Sequence, residues 1–216
     1  MVMPEIISIT DEKDVGRAVE VAAETLRRGG VTVYPTDTLY GLGADSCNAS
    51  AVEKLFRIKN RESVKPISSI VSDLDMAGRY VHGTPQAKAL AEAFLPGPLT
   101  LILKRKEGIP NAAAGGADTF GIRIPDNEFC LRLAASLGGP YTATSANASG
   151  KETEPSVERI LEQLGDRTTL IELVIDGGAL KSRTPSTVVD ASGEEVRILR
   201  EGAISREDVE KAVAKR

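Results

Sequence analysis

The chain has 216 residues, 41% hydrophobic and 27% charged, with a net charge of −4 and a single histidine. That length fits one large domain or two small ones, and roughly 70% of the unfolded surface can be buried in a core. The acidic balance excludes a surface built wholly as a phosphate-binding field, and 4% aromatics without tryptophan argue against a base-stacking platform for single-stranded nucleic acid. The opening MVMPEIISIT lacks the basic-then-apolar layout of a signal peptide. No apolar run approaches a membrane span, so a cytoplasmic protein without membrane contact is expected. Cys47 and Cys130 have no CxxC or histidine partner, so they read as packing residues, and no metal-binding side chains are identified.

In chain order, the spacing of Val15, Ala18, Val19, Ala22 and Leu26 predicts a helix over 14–28, stopped by Gly29 and Gly30. Residues 31–34 read as a short strand. A helix should follow from near Asn48, with Ser50 and Glu53 at capping-box spacing and Val52, Leu55 and Phe56 as its buried stripe. A strand is expected over 67–71. Thr84 before Pro85 reads as an N-cap with proline at the first helical position. Ala87, Leu90, Ala91 and Phe94 give that helix its apolar face, and Pro96, Gly97 and Pro98 end it. Further strands are predicted over 99–103, 120–124, 170–175, 187–189 and 196–199, and helices over 128–137 and 156–164. Ser205 with Asp208 marks a capped C-terminal helix carrying Val209, Ala212 and Val213.

The order is not a regular strand–helix alternation. It predicts an α/β fold in a single domain over 1–216, with a core at 14–202 and a C-terminal helix at 205–214. A twisted, mixed sheet with helices packed on it is expected. Neither GxGxxG nor GxxxxGK[ST] occurs, so a nucleotide would have to be held without the common phosphate cradles.

Four segments carry more polar chemistry than a scaffold needs. Tyr34 to Gly43, YPTDTLYGLG, sets two threonines and an aspartate around a proline after a strand. It reads as a plain loop or as a rigid turn presenting hydroxyls to a small ligand. Lys59-Asn60-Arg61, with Arg57 before and Lys65 after, is either a set of helix-dipole partners or a phosphate clamp. Arg123, between Ile122 and Ile124, faces solvent or lines a cleft where a carboxylate can bind through two parallel hydrogen bonds. Thr142-Ala143-Thr144-Ser145-Ala146-Asn147 could cap a helix or form a phosphate-binding loop. His82 and Lys104-Arg105-Lys106 read as surface groups, and the short stretch 181–184 reads as a polar segment able to move over a bound nucleotide.

Together these segments resemble the YrdC-domain family, the threonylcarbamoyl-AMP synthases, over residues 14–200. The matching motifs are PTDTLYGLG (35–43), KNR (59–61) followed by Lys65-Pro66, LPGPLTLIL (95–103) and DTFGIRIP (118–125). After them come SAN (145–147), IDGG (175–178), Pro185-Ser186-Thr187 and ILREG (198–202). The resemblance implies an α/β domain with a concave, basic cleft. It places Lys59, Arg61, Ser145 and Asn147 around the ATP phosphates, as catalytic residues, with Lys65, Thr119, Thr153 and Arg200 as further nucleotide contacts. For threonine it implies Thr38, Arg123, Ala143 through its backbone, and Ser186. Ile70 stands where longer members often have a histidine, Ala143-Thr144 precedes SAN where other pairs are frequent, and the chain looks like the short, single-domain form.

The implied reaction joins L-threonine, bicarbonate and ATP, with Mg2+ beside the nucleotide, into threonylcarbamoyl-AMP and pyrophosphate. The product would serve the threonylcarbamoyladenosine modification of tRNA through a downstream threonylcarbamoyl transferase complex, with direct contact to tRNA left open. Two other readings share the same cleft: a non-catalytic RNA-binding module, and a carbamoyl-transfer enzyme of the hydrogenase-maturation type. The first is disfavoured by the acidic charge, the second by the lack of length and cysteines for the extra segments such enzymes carry.

Overall fold

In the computed structural model, which describes residues 3–60, 66–110 and 112–214, the architecture follows from the alternation of LTLILKR in β6 (Leu99–Arg105). Leu99, Leu101 and Leu103 are buried in the main core, whereas Thr100 and Ile102 point to the opposite face. The neighbouring β7 (Thr119–Arg123) runs antiparallel and keeps the same division, pairing Thr100 with Arg123 and Ile102 with Gly121. Phe120 and Ile122 join the leucines in the core. One face of this sheet is therefore apolar and helix-covered, and the other is polar and open.

The chain lays down β1 (Glu5–Ser8), α1 (Glu12–Arg27), β2 (Thr32–Tyr34), β3 (Gly41–Gly43), α2 (Ala49–Lys59), β4 (Ser69–Ile70), α3 (Leu74–Tyr80), β5 (Val81–His82) and α4 (Pro85–Phe94) before β6 and β7. After them come α5 (Glu128–Leu137), β8 (Tyr141–Thr142), β9 (Thr144–Ser145), α6 (Val157–Leu164), β10 (Leu173–Asp176), β11 (Thr187–Asp190), β12 (Arg197–Arg200) and α7 (Arg206–Ala214). The α/β class is as expected, but the strands divide between two mixed sheets. One has the order β1-β10-β2-β3-β9. The other runs β12-β11-β6-β7-β4-β8, with β5 beside β6.

The central strands of the first sheet, β10, β2 and β3, are buried on both faces. Leu173, Ile175 and Tyr34 enter the main core with α1, α4, α5 and α7, while Val174, Val33 and Leu42 enter a second core with α2 and α6. The short strand expected at 31–34 is β2, whose residues Thr32, Val33 and Tyr34 are all buried. The two sheets meet where β8 passes into β9. There Thr142 Oγ1 donates to Leu42 O at 3.1 Å and accepts from Ala44 N at 2.9 Å, joining one sheet to the other.

Several local details differ from the expectation. The cap of α2 is Asn48, whose side chain accepts from Ala51 N, so Ser50 and Glu53 lie inside the helix instead of forming a capping box. The start of the expected 170–175 strand is a 3-10 turn over Gly165–Leu170. The sequence reading has no counterpart to α3, which is too short for a periodic stripe and is set by Asp73 accepting from Met76 N at 2.7 Å. Among the described residues no helix is long and apolar enough to cross a membrane.

The α4 cap is as read. Thr84 Oγ1 accepts from Ala87 N at 3.0 Å and also donates to Ala191 O at 3.1 Å. Thr84→Ala should therefore lower stability by about 1–2 kcal/mol, seen as a lower urea midpoint at unchanged slope.

Candidate active site

The open face of the larger sheet is the floor of a cleft of about 690 Å³. In register across it lie Val188, Thr100 and Arg123, then Asp190, Ile102 and Gly121, with Thr119 beyond. Gly121 leaves room for its neighbours: a Cβ would stand 2.6 Å from Ser68 Oγ and 2.9 Å from Ile102 Cδ1, so those side chains would have to shift. The volume suits a nucleotide or a small metabolite.

One wall is the turn after β2. Thr36 Oγ1 donates to Leu39 O at 2.7 Å and accepts from the backbone N–H groups of Thr38 and Leu39. Thr36 Oγ1 also lies 3.1 Å from Thr38 Oγ1, a contact either hydroxyl can donate. Arg123 Nη2 donates to Thr38 Oγ1 at 2.9 Å and to Asp37 Oδ1 at 2.5 Å. Arg123 is 7% exposed, which decides between the solvent and cleft alternatives for it. Its Nε and Asp37 Oδ2 are buried without a hydrogen-bond partner.

A second wall joins the end of α2 to SAN. Lys59, 3% exposed, donates from Nζ to Ser145 O, to Asn147 O at 3.0 Å and to Asn147 Oδ1 at 2.6 Å. Ser145 Oγ donates to the same Oδ1 at 2.7 Å, and Asn147 Nδ2 donates to Lys151 O. These three acceptors of Lys59 are uncharged oxygens, and they orient the ammonium. The left-handed Asn60, at φ 50°, ends α2 directly after Lys59.

The third wall comes from β11 and β12. A register shift between Val188 and Val189 lets Ile198 and Arg200 face those two adjacent residues, leaving Leu199 as the extra residue of a bulge. Leu199 and Arg200 both line the cleft as a result. Arg200 donates to Ser186 O at 2.8 Å through Nη2 and at 3.2 Å through Nε, and to Ser186 Oγ at 3.2 Å. Ser186 Oγ lies 2.9 Å from Thr100 Oγ1 on the floor. Burial, and then the charge of Arg123, pull the Arg200 pKa below its ordinary value, as expected for two cations facing one cavity. Gly202 makes this turn possible, since a Cβ there would meet Pro185 O at 2.3 Å.

Few groups here can exchange protons near neutrality. Tyr34 donates to Thr142 O, and Tyr40 donates to Gly178 O while accepting from Gly177 N. Burial raises the pKa of both phenols. Cys130, behind the turn with its Sγ on Pro35 O, is pushed up to about 12 by burial. A thiol so placed is not an activated nucleophile. The arrangement is one for binding and charge stabilisation.

The structure thus brings Thr38, Lys59, Thr119, Arg123, Ala143, Ser145, Asn147, Ser186 and Arg200 around one cavity. The N–H of Ala143 donates to Ser68 O at 2.6 Å, so a ligand could use only its carbonyl. Thr153 is outside the lining, between β9 and α6. Arg61 and Lys65 lie outside the described residues. Ile70 pairs with Arg123 in register and is fully buried. His82 is exposed on β5, while Arg105 is partly buried, donating to Ile109 O. The 181–184 stretch has no helix or strand. Sequence reading gave no role to Ser68, Thr100 or Asp190, which tertiary pairing brings to the cleft, and did not pair the Asp37 carboxylate of the turn with Arg123.

The fold and sequence recur in known proteins. A chain of Methanocaldococcus jannaschii is 38% identical over 194 residues, 90% of each chain. The threonylcarbamoyl-AMP synthase of Pyrococcus abyssi is 34% identical over 196 residues, which make up 90% of this chain and 57% of that one. The crystal structure of P. abyssi Sua5 complexed with L-threonine matches with a TM-score of 0.86 at 32% identity, over 99% of this chain and 61% of that one. This chain therefore spans nearly all of the first relative but less than two thirds of the P. abyssi protein. The Sua5, YciO and YrdC profile, described as Telomere recombination, matches residues 24–202, and the chain belongs to that family.

Proposed function

We propose that the cleft joins L-threonine, bicarbonate or CO2, and ATP into threonylcarbamoyl-AMP and pyrophosphate, for the threonylcarbamoyladenosine modification of tRNA. The chain is a threonylcarbamoyl-AMP synthase, a nucleotidyltransferase that uses ATP; relatives at 34–38% identity over 90% of its length support this. The observation that carries the reading is the pairing of two cationic sites in one cavity: a planar guanidinium on the floor and an oriented ammonium beside SAN. The first suits a carboxylate, the second a run of phosphates.

In this reading Arg123 holds the threonine carboxylate, with Thr38, Ser186 and the Ala143 carbonyl around the rest of the amino acid. The amine attacks CO2, or bicarbonate with loss of water, to give a carbamate. A carbamate oxygen then attacks the α-phosphorus, and pyrophosphate leaves. No covalent enzyme intermediate is required, in keeping with the absence of an activated nucleophile among the described cleft residues. Lys59, Arg61, Ser145 and Asn147 stabilise and orient the phosphates, with Lys65, Thr119 and Arg200 as further contacts. Thr153 would need to approach from outside the lining described above.

Among the described residues no group of three or more His, Cys, Asp or Glu is placed to hold a metal ion. Mg2+ in this scheme therefore arrives with the triphosphate and shares its charge. The product passes to a downstream threonylcarbamoyl transferase.

The test is pyrophosphate release from ATP with Mg2+ and bicarbonate, comparing threonine, serine and no amino acid. Threonine-dependent release is expected, and release indifferent to threonine would refute the assignment. Arg61→Ala should lower turnover at least about ten-fold, on the scale of a lost charged hydrogen bond. The 181–184 stretch should become protected from protease when ATP and threonine are both present; equal cleavage with and without them would rule out its closing over the nucleotide.

A further inference from the structure

The Arg123–Asp37 pair raises a question that substrate binding alone does not answer. A carboxylate already occupies the guanidinium that is meant to receive a carboxylate. Both protein bonds of Arg123 fall on one nitrogen, Nη2, which donates to Asp37 Oδ1 at 2.5 Å and to Thr38 Oγ1 at 2.9 Å. Nε is buried with no protein partner, and so is the second carboxylate oxygen, Asp37 Oδ2. The pair is therefore one bond short of the bidentate geometry that Arg and carboxylate ordinarily reach. We propose that Asp37 is the positioning residue of the amino-acid site, fixing one prong of Arg123 so that the remaining donors are set for the threonine carboxylate. This rests on the reading that Arg123 binds that carboxylate.

Two effects of Asp37 oppose each other. Its charge offsets that of Arg123 and so weakens the pull on a second anion. Its bond also holds a long, flexible side chain in one rotamer before the substrate arrives, which lowers the entropy lost on binding. Arg123 is not the sole source of positive charge in this cleft, where Arg200 lies close enough to feel its charge. A fixed direction for Arg123 is scarcer, because its other protein bond is to a hydroxyl. Asp37 can supply that direction because its own turn is rigid. The Thr36 hydroxyl ties it at three points, and Tyr40 anchors its far end to Gly177 and Gly178. The geometry thus assigns orientation as the larger effect, and the two effects predict opposite signs for the same substitution.

Steady-state kinetics on Asp37→Asn, Asp37→Glu and Arg123→Lys separates them. Asp37→Asn should raise the threonine KM at least about ten-fold, with the ATP KM within about two-fold of the parent and a smaller change in kcat at saturating threonine. Asp37→Glu, which keeps the charge one methylene further out, should fall between the two; it also serves if the Asn variant does not fold. An unchanged or lower threonine KM in Asp37→Asn, beside a raised one in Arg123→Lys, would overturn the role of Asp37 and leave Arg123 in place. A parallel rise of both KM values with a lowered Tm would reduce Asp37 to a structural residue and overturn the proposal equally. An unchanged threonine KM in Arg123→Lys would instead remove the threonine reading on which it rests.

Discussion

Two long cationic side chains, Lys59 and Arg123, must be taken out of water for this cleft to exist. Withdrawing each ion costs on the order of several kcal/mol unless its hydrogen bonds are replaced. The replacements come from segments far away in sequence: Ser145 and Asn147 for the lysine, and Asp37 and Thr38 for the arginine. The two treatments differ. Neutral oxygens of Ser145 and Asn147 orient the lysine, while a carboxylate fixes the direction of the arginine. A site that must hold a polyphosphate needs the first, and a site that must align one small carboxylate needs the second.

Bringing those partners into reach is the work of the two-sheet architecture. The turn at Pro35–Leu39 leaves β2 of one sheet, while Arg123 ends β7 of the other, and SAN closes β9 just after the chain crosses from β8. Thr142 locks that crossing by bonding Leu42 and Ala44 at once. The stiffness of the walls therefore derives from the two hydrophobic cores behind them, one on each side of the smaller sheet. The β12 bulge adds the last wall by turning Leu199 and Arg200 into the cavity together.

Much of this was legible in the sequence, and the legible part has a common cause. Leu99 to Leu103 is a strongly strand-like run after Pro96-Gly97-Pro98, and Val15 to Leu26 keeps a helical period, so local pattern alone places them. The motif residues at the cleft were recognised by their order along the chain. What the sequence did not disclose depends on distant pairing. The side of its strand that Arg123 faces is decided by register with Thr100, and its partner Asp37 lies 86 residues earlier. The division into two sheets, the Asn48 cap in place of Ser50, and the bulge at Leu199 likewise leave no periodic trace. Thr153 was matched by motif position but stands outside the lining.

The central claim is that one cavity holds threonine on Arg123 and the ATP phosphates beside Lys59 and SAN. A crystal structure of the chain with L-threonine and an unreactive ATP analogue tests it most directly. The account predicts the threonine carboxylate against Arg123, its amine turned toward the α-phosphate, and the triphosphate along Lys59, Ser145 and Asn147. A nucleotide bound outside this cleft, or threonine seated with its carboxylate away from Arg123, would contradict it.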